Sequence, residues 1–428
     1  MPLAPPPVLP PDLTAALRGR LSPGARLDDG VVTAADPGDV VAALRLAGRY
    51  GVPVGGPAGR GLAVDVDALD EVTVSRAGWA RVGGGVRWRP LAEAAARCGL
   101  APLVGPTPAG RVADAVTGGG VGPLARTYGP VSDRVRAVEL VTGDGVLRRV
   151  TAEGTPELFW GVRGGGAGLG VVTAVELDLL AAPTVHAGWL QWAGADAPAV
   201  LARWRTWSAA LPPQAGTTLL LVRPPAGPDA VAVRFAWTGD PADGADVLDG
   251  LRGAVPPRSD DVVVRRPGDL GTAPVPGDGV ESSLLLDRLP ADGADALLAA
   301  ARRTAPRTVE LRLLGGAVGW VPERGSALCH RDARLAVRVV GGAGAERRAA
   351  TWACVEELAG LLGPDTGGRE PAHGFGPSPD VLARTPTPAV RGRLAALAAT
   401  TDPHRVLEGA GRRPPADRSA GPGGHGPG

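Results

Sequence analysis

Thr117-Gly118-Gly119-Gly120-Val121-Gly122-Pro123-Leu124-Ala125-Arg126-Thr127-Tyr128-Gly129 is the stretch on which the fold turns. Three consecutive glycines between apolar segments leave the main chain bare, so backbone N–H groups can approach a phosphate with no Cβ in the way. The same run also reads as a tight turn in a glycine-biased chain. Three further clusters flank it: Gly55-Gly56-Pro57-Ala58-Gly59-Arg60-Gly61, Gly105-Pro106-Thr107-Pro108-Ala109-Gly110 and Gly164-Gly165-Gly166-Ala167-Gly168-Leu169-Gly170. Each follows or precedes a strand.

Outward from 117–129 the pattern alternates helix and strand. Asp36 reads as an N-cap with Pro37 at the first helical position, and Val40, Val41, Leu44 and Ala47 form the apolar stripe up to Gly51. Strands are predicted at 31–32, 52–54, 64–66, 72–74 and 80–86, and a helix from Pro90 to Gly99. Downstream come a strand over 134–142, a Gly143-Asp144-Gly145 hairpin signal, its return over 146–150, a helix over 156–162 and a strand over 170–179. From about 183 the character changes. Strands at 186–192, 217–222, 230–237, 282–286, 308–314 and 335–340 interleave with helices at 198–210, 242–251, 292–304 and 345–362. This predicts an antiparallel sheet with helices on one side, and an α+β chain as a whole. The implied division is a flexible segment over 1–24, a first domain over 25–182, a second over 183–364, a return to the first over 365–412 and a disordered tail over 413–428.

Composition narrows the chemistry. The chain has 428 residues and a formal net charge of +1, so no basic field draws nucleic acid or anionic lipid. Gly 65 and Pro 44 make up about a quarter of it. It contains no Lys, Ile or Asn, which removes a phosphate-loop lysine, a Schiff base and an N-glycosylation site. Cys98, Cys329 and Cys354 are scattered, the five His are dispersed, and no metal site or disulfide framework is expected. Scarce cysteine, an N-terminus unlike a signal peptide and no membrane-length apolar run point to the cytoplasm. Glycines at i, i+2 and i+5 with a following acid are missing, so a Rossmann dinucleotide site is excluded.

The order of these segments, from Asp39-Val-Val-Ala-Ala-Leu through Ala80-Arg-Val-Gly-Gly-Gly-Val-Arg-Trp, the 117–129 run, Arg136-Ala-Val-Glu-Leu-Val-Thr-Gly-Asp-Gly and Pro156-Glu-Leu-Phe-Trp-Gly-Val-Arg-Gly-Gly-Gly to Gly170-Val-Val-Thr-Ala-Val-Glu-Leu, resembles the FAD-binding domain of the vanillyl-alcohol-oxidase / para-cresol-methylhydroxylase superfamily, in its berberine-bridge-enzyme-like branch. The resemblance covers residues 30–180 and continues weakly through Val309-Glu-Leu-Arg-Leu-Leu-Gly-Gly and Asp402-Pro-His-Arg-Val-Leu. It implies a two-subdomain FAD-binding domain followed by a substrate domain covering the flavin. Gly55, Gly56, Pro57, Ala58, Gly59, Arg60 and Gly61, with Thr107, Pro108, Gly110, Arg111, Asp114, Thr117, Gly118, Gly119, Gly120 and Gly122, would surround the cofactor. Tyr128 belongs to the same motif, Asp133 would sit near the flavin, and Val172 would meet the adenine end through its main chain.

This sequence departs from the family in places. Arg60 stands where the family carries a flavin-bonded His, and Thr107 where some members carry a second attachment Cys, so the FAD is expected to be non-covalent. Arg111 and Asp114 replace glycines and would crowd the diphosphate. The family's tyrosine base is missing, and the nearest counterpart is Ala372-His373-Gly374-Phe375. His373 is the candidate base on its ordinary pKa. Glu310 and Arg312 alternate with apolar residues on one strand and share a face, either the substrate cavity, with Arg312 holding an acidic group, or solvent. The function expected is FAD-dependent oxidation of a small organic substrate, with oxygen as acceptor. The alternative is a catalytically inactive member acting as a binding or accessory protein.

Overall fold

One helix begins where Asp36-Pro37-Gly38-Asp39 closes a capping box. The Asp36 carboxylate accepts from the N–H of Gly38 and Asp39, and the Asp39 carboxylate accepts from the N–H of Asp36. Asp39 also accepts from the N–H and hydroxyl of Ser22 and from Ala35 N–H, which ties the helix start to the preceding chain. The helix runs Pro37–Tyr50 and stops at Gly51 in the left-handed region, φ 65°. Its buried stripe packs on a sheet ordered Arg26–Asp28, Val31–Thr33, Leu62–Asp65, Val54–Gly55, in which the two strands flanking Leu62–Asp65 are parallel to it. The computed structural model describes residues 9–55, 61–105, 110–166, 168–181, 184–224, 226–253, 255–270, 280–303, 306–342, 344–369, 372–375 and 386–407. The expectation of a flexible stretch over 1–24 fails at Pro11–Arg18. That segment is a helix, and Leu13 and Leu17, one turn apart, are fully buried in the same core. Each such burial is worth roughly 1.5–3 kcal/mol.

The second layer is a five-stranded antiparallel sheet ordered Val72–Ser75, Trp79–Gly83, Val171–Asp178, Val135–Val141, Leu147–Thr151. The Gly143-Asp144-Gly145 turn joins its last two strands, with Asp144 accepting from Thr142, Val146 and Arg148. Helices Trp88–Ala96, Val112–Thr117 and Pro156–Val162 pack around this sheet in a core containing Trp88, Leu91, Val116 and Phe159.

Among the described residues the second domain is built on a nine-stranded antiparallel sheet. Its central order is Val185–Ala193, Ala230–Trp237, Ala215–Val222, Pro306–Leu313, Leu335–Gly341, Val280–Leu286, Ala372–Phe375. Helices Ala197–Ala209, Pro241–Arg252, Ala291–Ala301 and Ala345–Leu361 cover one face. Period-two alternation sends Val231, Val233, Phe235, Val309, Leu311, Val337 and Val339 into that helix-covered core. The intervening positions face the first domain. The fold is α+β.

The return to the first domain starts later than residue 365. Ala372–Phe375 still pairs with Val280–Ser283 of the large sheet. Helix Pro388–Thr401 then packs on Pro156–Val162, with Arg393 over the Trp160 ring at 3.8 Å and paired to Glu157. Asp402 accepts from the N–H of Val406 and Leu407, and Val54 N–H donates to Val406, so the chain end is stitched to the first sheet.

Candidate functional site

The ends of both small sheets and the start of helix Val112–Thr117 meet at one glycine-lined junction. An ideal Cβ on Gly84 would stand 2.3 Å from the Val172 carbonyl oxygen, and one on Gly122 would stand 1.9 Å from that of Val104. Gly119 and Gly120 sit at φ 91° and 59°, a backbone that only glycine adopts freely in succession. Gly118 closes the helix by donating to Asp114 O at 2.8 Å, and Thr117 Oγ1 donates to Ala113 O at 3.1 Å. The 117–122 turn therefore presents main chain where other sequences would present side chains.

Gly55 ends its strand, Gly61 opens the next at φ 104°, and Gly110 lies in the bend before Arg111. Gly56, Pro57, Ala58, Gly59, Arg60, Thr107 and Pro108 lie outside the described residues. Arg111 does not extend into free space. It bonds Asp67 at 2.7 Å and Asp65 at 3.1 Å, while Arg87 approaches Asp67 at 3.6 Å. Asp114 lies on the exposed side of helix Val112–Thr117. A cavity of about 1080 Å³ is walled by Arg87, Trp88, Glu93, Val104, Arg266 and Leu270; it meets the junction only at Val104, and none of Gly84 and Gly118–Gly122 lines it. The bare main chain of the junction, beside charge-balanced Arg111, is of the kind that can accept a pyrophosphate.

Two of the remaining cofactor-side residues have protein partners of their own. Tyr128 is half-buried, and its carbonyl accepts from Arg134 at 2.9 Å. Both Asp133 oxygens are held by Arg331, at 2.7 and 2.9 Å, which bridges the two domains. Val172 pairs with Leu140 in the central strand, its carbonyl against Gly84.

On the large sheet, Glu310 is buried and Arg312 is half-buried with its guanidinium turned to the first domain, which excludes the solvent-face alternative. Glu310 is 3% exposed. Arg312 donates to Glu310 at 2.6 Å and, across the domain boundary, to Val121 O at 2.8 Å. Arg338 joins Glu310 at 3.0 Å and Glu281 at 2.8 Å. Burial alone would raise the Glu310 carboxyl, but Arg312, Arg338 and Arg234 together hold it down to about 2. His373 is not brought to this cluster in register. It lies opposite Ser282 on the edge strand, whereas Glu310 is opposite Arg338, which in turn faces Ser283 and so position 372.

Sequence reasoning passed over Arg234, Arg338, Glu281, Arg126 and Arg331. The signal was present in two of them: each of Arg234 and Arg338 is the single charge in an otherwise apolar strand, Ala230–Trp237 and Leu335–Gly341. Among the described residues no group of three His, Cys, Asp or Glu could hold a metal ion, and no helix is long and apolar enough to cross a membrane.

Residues 29–151 match the family model described as an FAD binding domain. The chain is 38% identical over 135 residues to (R)-6-hydroxynicotine oxidase of Paenarthrobacter nicotinovorans, a match covering 31% of this chain and 30% of that protein. It is 30% identical over 154 residues to an FAD-linked oxidoreductase of Pyricularia oryzae, covering 33% and 30%. These alignments span about a third of the relatives' length. The fold extends much further. The crystal structure of 6-hydroxy-D-nicotine oxidase from Arthrobacter nicotinovorans superposes with a TM-score of 0.73 at 24% identity, covering 88% of this chain and 90% of the other. Berberine bridge enzyme from Eschscholzia californica superposes with a TM-score of 0.74 at 16% identity, covering 92% and 97%.

Proposed function

We propose, for a chain that carries the FAD-binding domain of the vanillyl-alcohol-oxidase / para-cresol-methylhydroxylase superfamily and the fold of its berberine-bridge-enzyme-like branch, that it is an FAD-dependent oxidoreductase oxidising a small organic substrate. The observation that carries this reading is the match of residues 29–151 to an FAD binding domain, together with the bare main chain of 117–122 packed against Val104. When bound, FAD supplies the acceptor for a hydride taken from a substrate C–H bond and passes the electrons on, with dioxygen as the proposed final acceptor.

The chain's own residues then have distinct parts. The Gly119–Gly122 amides hold the cofactor, and Arg111 keeps Asp65 and Asp67 from repelling its phosphates. Arg312, anchored on Glu310, closes the domain boundary at Val121. A carboxylate held at about 2 does not take a proton near neutral pH. Glu310 is therefore a positioning residue, and His373, whose place opposite Ser282 is out of step with the Glu310 row, is not assigned as the proton acceptor. With Arg60 and Thr107 at the attachment positions, the flavin is dissociable.

A second reading, an inactive member serving as a binding protein, is favoured by one observation. The slot between Val121 and the large sheet is only about 10 Å³. A visible absorption spectrum after incubation with FAD decides. Flavin bands on the purified protein, with all the colour released on acid precipitation, support the dissociable oxidoreductase. A colourless protein that takes up no FAD supports the second reading, and colour that stays with the precipitate refutes a dissociable flavin.

A further inference from the structure

The inner face of the large sheet carries more positive than negative charge, in a place from which water is largely excluded. Arg234 is 6% exposed. Its guanidinium donates to Thr218 Oγ1 at 3.2 Å and lies 5.5 Å from the Trp189 ring centroid; among the described residues no carboxylate reaches ion-pair distance, and the acidic group it feels is Glu310, already bonded to Arg312 and Arg338. Arg312 and Arg338 are met by Glu310 and Glu281. Arg126, also 6% exposed, donates to the carbonyls of Ala215, Leu314, Leu211 and Pro212 and meets no carboxylate either. Four guanidiniums thus share two carboxylates. A buried charge without a counter-charge is costly, and a guanidinium cannot relieve that cost by giving up its proton.

A slot of about 10 Å³ opens among Arg234, Arg312, Thr218 and Gly122. That is room for one oxygen-sized group. Arg126 forms part of its wall with each of its three nitrogens bonded to a carbonyl, and Arg234 faces it with no carboxylate bonded to it among the described residues.

Resting on the oxidoreductase reading, we propose that Arg234, with Thr218 and Arg312 beside it, receives one carboxylate oxygen of the substrate, so that the enzyme acts on organic acids. The acid group supplies counter-charge to a face on which four guanidiniums share Glu310 and Glu281, and its entry requires the Arg312–Val121 contact to open. Arg234 is then a substrate-binding residue and not part of a structural ion pair.

The test uses the full chain incubated with FAD, titrated calorimetrically with benzoate and with its neutral isostere benzamide, in the wild type, Arg234→Met and Arg234→Lys. Wild type is expected to bind benzoate at least tenfold more tightly than benzamide. Arg234→Met is expected to erase that preference while leaving the thermal midpoint unchanged or raised, because it removes an uncompensated charge. Arg234→Lys is expected to retain part of the preference. Equal binding of the two probes, no binding of either, or a preference that survives Arg234→Met overturns the proposal. Should Arg234→Met fail to fold, the proposal has the wrong account of that charge, and the wild-type and Arg234→Lys titrations still decide whether the slot selects an anion. If FAD binds and benzoate shows no preference, the anion site fails and the oxidoreductase reading stands. If benzoate is preferred and no FAD binds, the reverse holds.

Discussion

Glu310→Gln is the most direct way to ask whether the inner face of the sheet is held together by charge. The wild-type carboxyl moves from its ordinary 4.5 to about 2 in the folded chain. A depression of that size corresponds to about 3 kcal/mol of stability at neutral pH. An independent route gives a similar figure: removing one partner of a buried ion pair costs about 3–5 kcal/mol. Because the folded pKa is the lower one, this stability is complete above 4.5 and is lost as pH falls toward about 2. Glutamine keeps the shape and removes the charge, so the variant should be about 3 kcal/mol less stable than wild type at pH 7. The gap should narrow through pH 4 and nearly close by pH 2.5. Equilibrium urea unfolding followed by tryptophan fluorescence at each pH measures it. A variant within about 1 kcal/mol of wild type at pH 7, or a deficit independent of pH, would refute the account of Glu310 as the carboxylate balancing this face.

Three further outcomes are expected. Gly122→Ala places a Cβ 1.9 Å from the Val104 carbonyl, so the junction must shift; a loss of at least ~2 kcal/mol is expected in urea unfolding, together with weaker FAD uptake by absorbance titration. Arg111→Gly restores the family's residue yet bares Asp65 and Asp67; FAD should bind roughly fivefold to tenfold more weakly at low salt, with the gap shrinking at high salt, whereas tighter binding would mean that Arg111 crowds the phosphates. Asp39→Ala removes a carboxylate that accepts from Ser22, Ala35 and Asp36 and is 1% exposed; about 2–4 kcal/mol should be lost, read as a lower thermal midpoint.

The elements most legible in the sequence are those written by local chemistry. Asp36-Pro37 and Gly51 bracket helix Pro37–Tyr50 because a cap, a fixed φ and a left-handed glycine act within a few residues. The large-sheet strands are legible because a two-residue period survives in Val231, Val233, Phe235 and in Val309, Leu311, Leu313. Pro11–Arg18 was not, since two leucines in eight residues make too short a stripe to distinguish from a tail, and its stability comes from a core assembled by residues 32–66 and 406–407. The site follows the same division. Glu310 and Arg312 are found by alternation within one strand. Arg338, Glu281 and Arg234 join them only through cross-strand pairing of segments up to about 100 residues apart, and no local pattern encodes that partnership.

The absence of lysine turns this from a packing detail into a functional constraint. A lysine placed at 234 could lose its proton in a low-dielectric site and cease to need a partner. Arginine at the same depth is drawn down by burial and by Arg312, yet only to about 10, so it stays charged throughout the physiological range. A chain whose every cation is arginine must therefore balance each buried one by carboxylates, carbonyls or a ligand. At Arg312 and Arg338 the balance is Glu310 and Glu281, and at Arg126 it is four carbonyls. At Arg234 the protein supplies a threonine hydroxyl, an aromatic face and the field of Glu310, a carboxylate already bonded to Arg312 and Arg338. Among the described residues no carboxylate is bonded to Arg234, and it lies on the sheet face toward the glycine-lined junction. A charge kept there fits a site that binds an acid better than it fits the needs of the sheet.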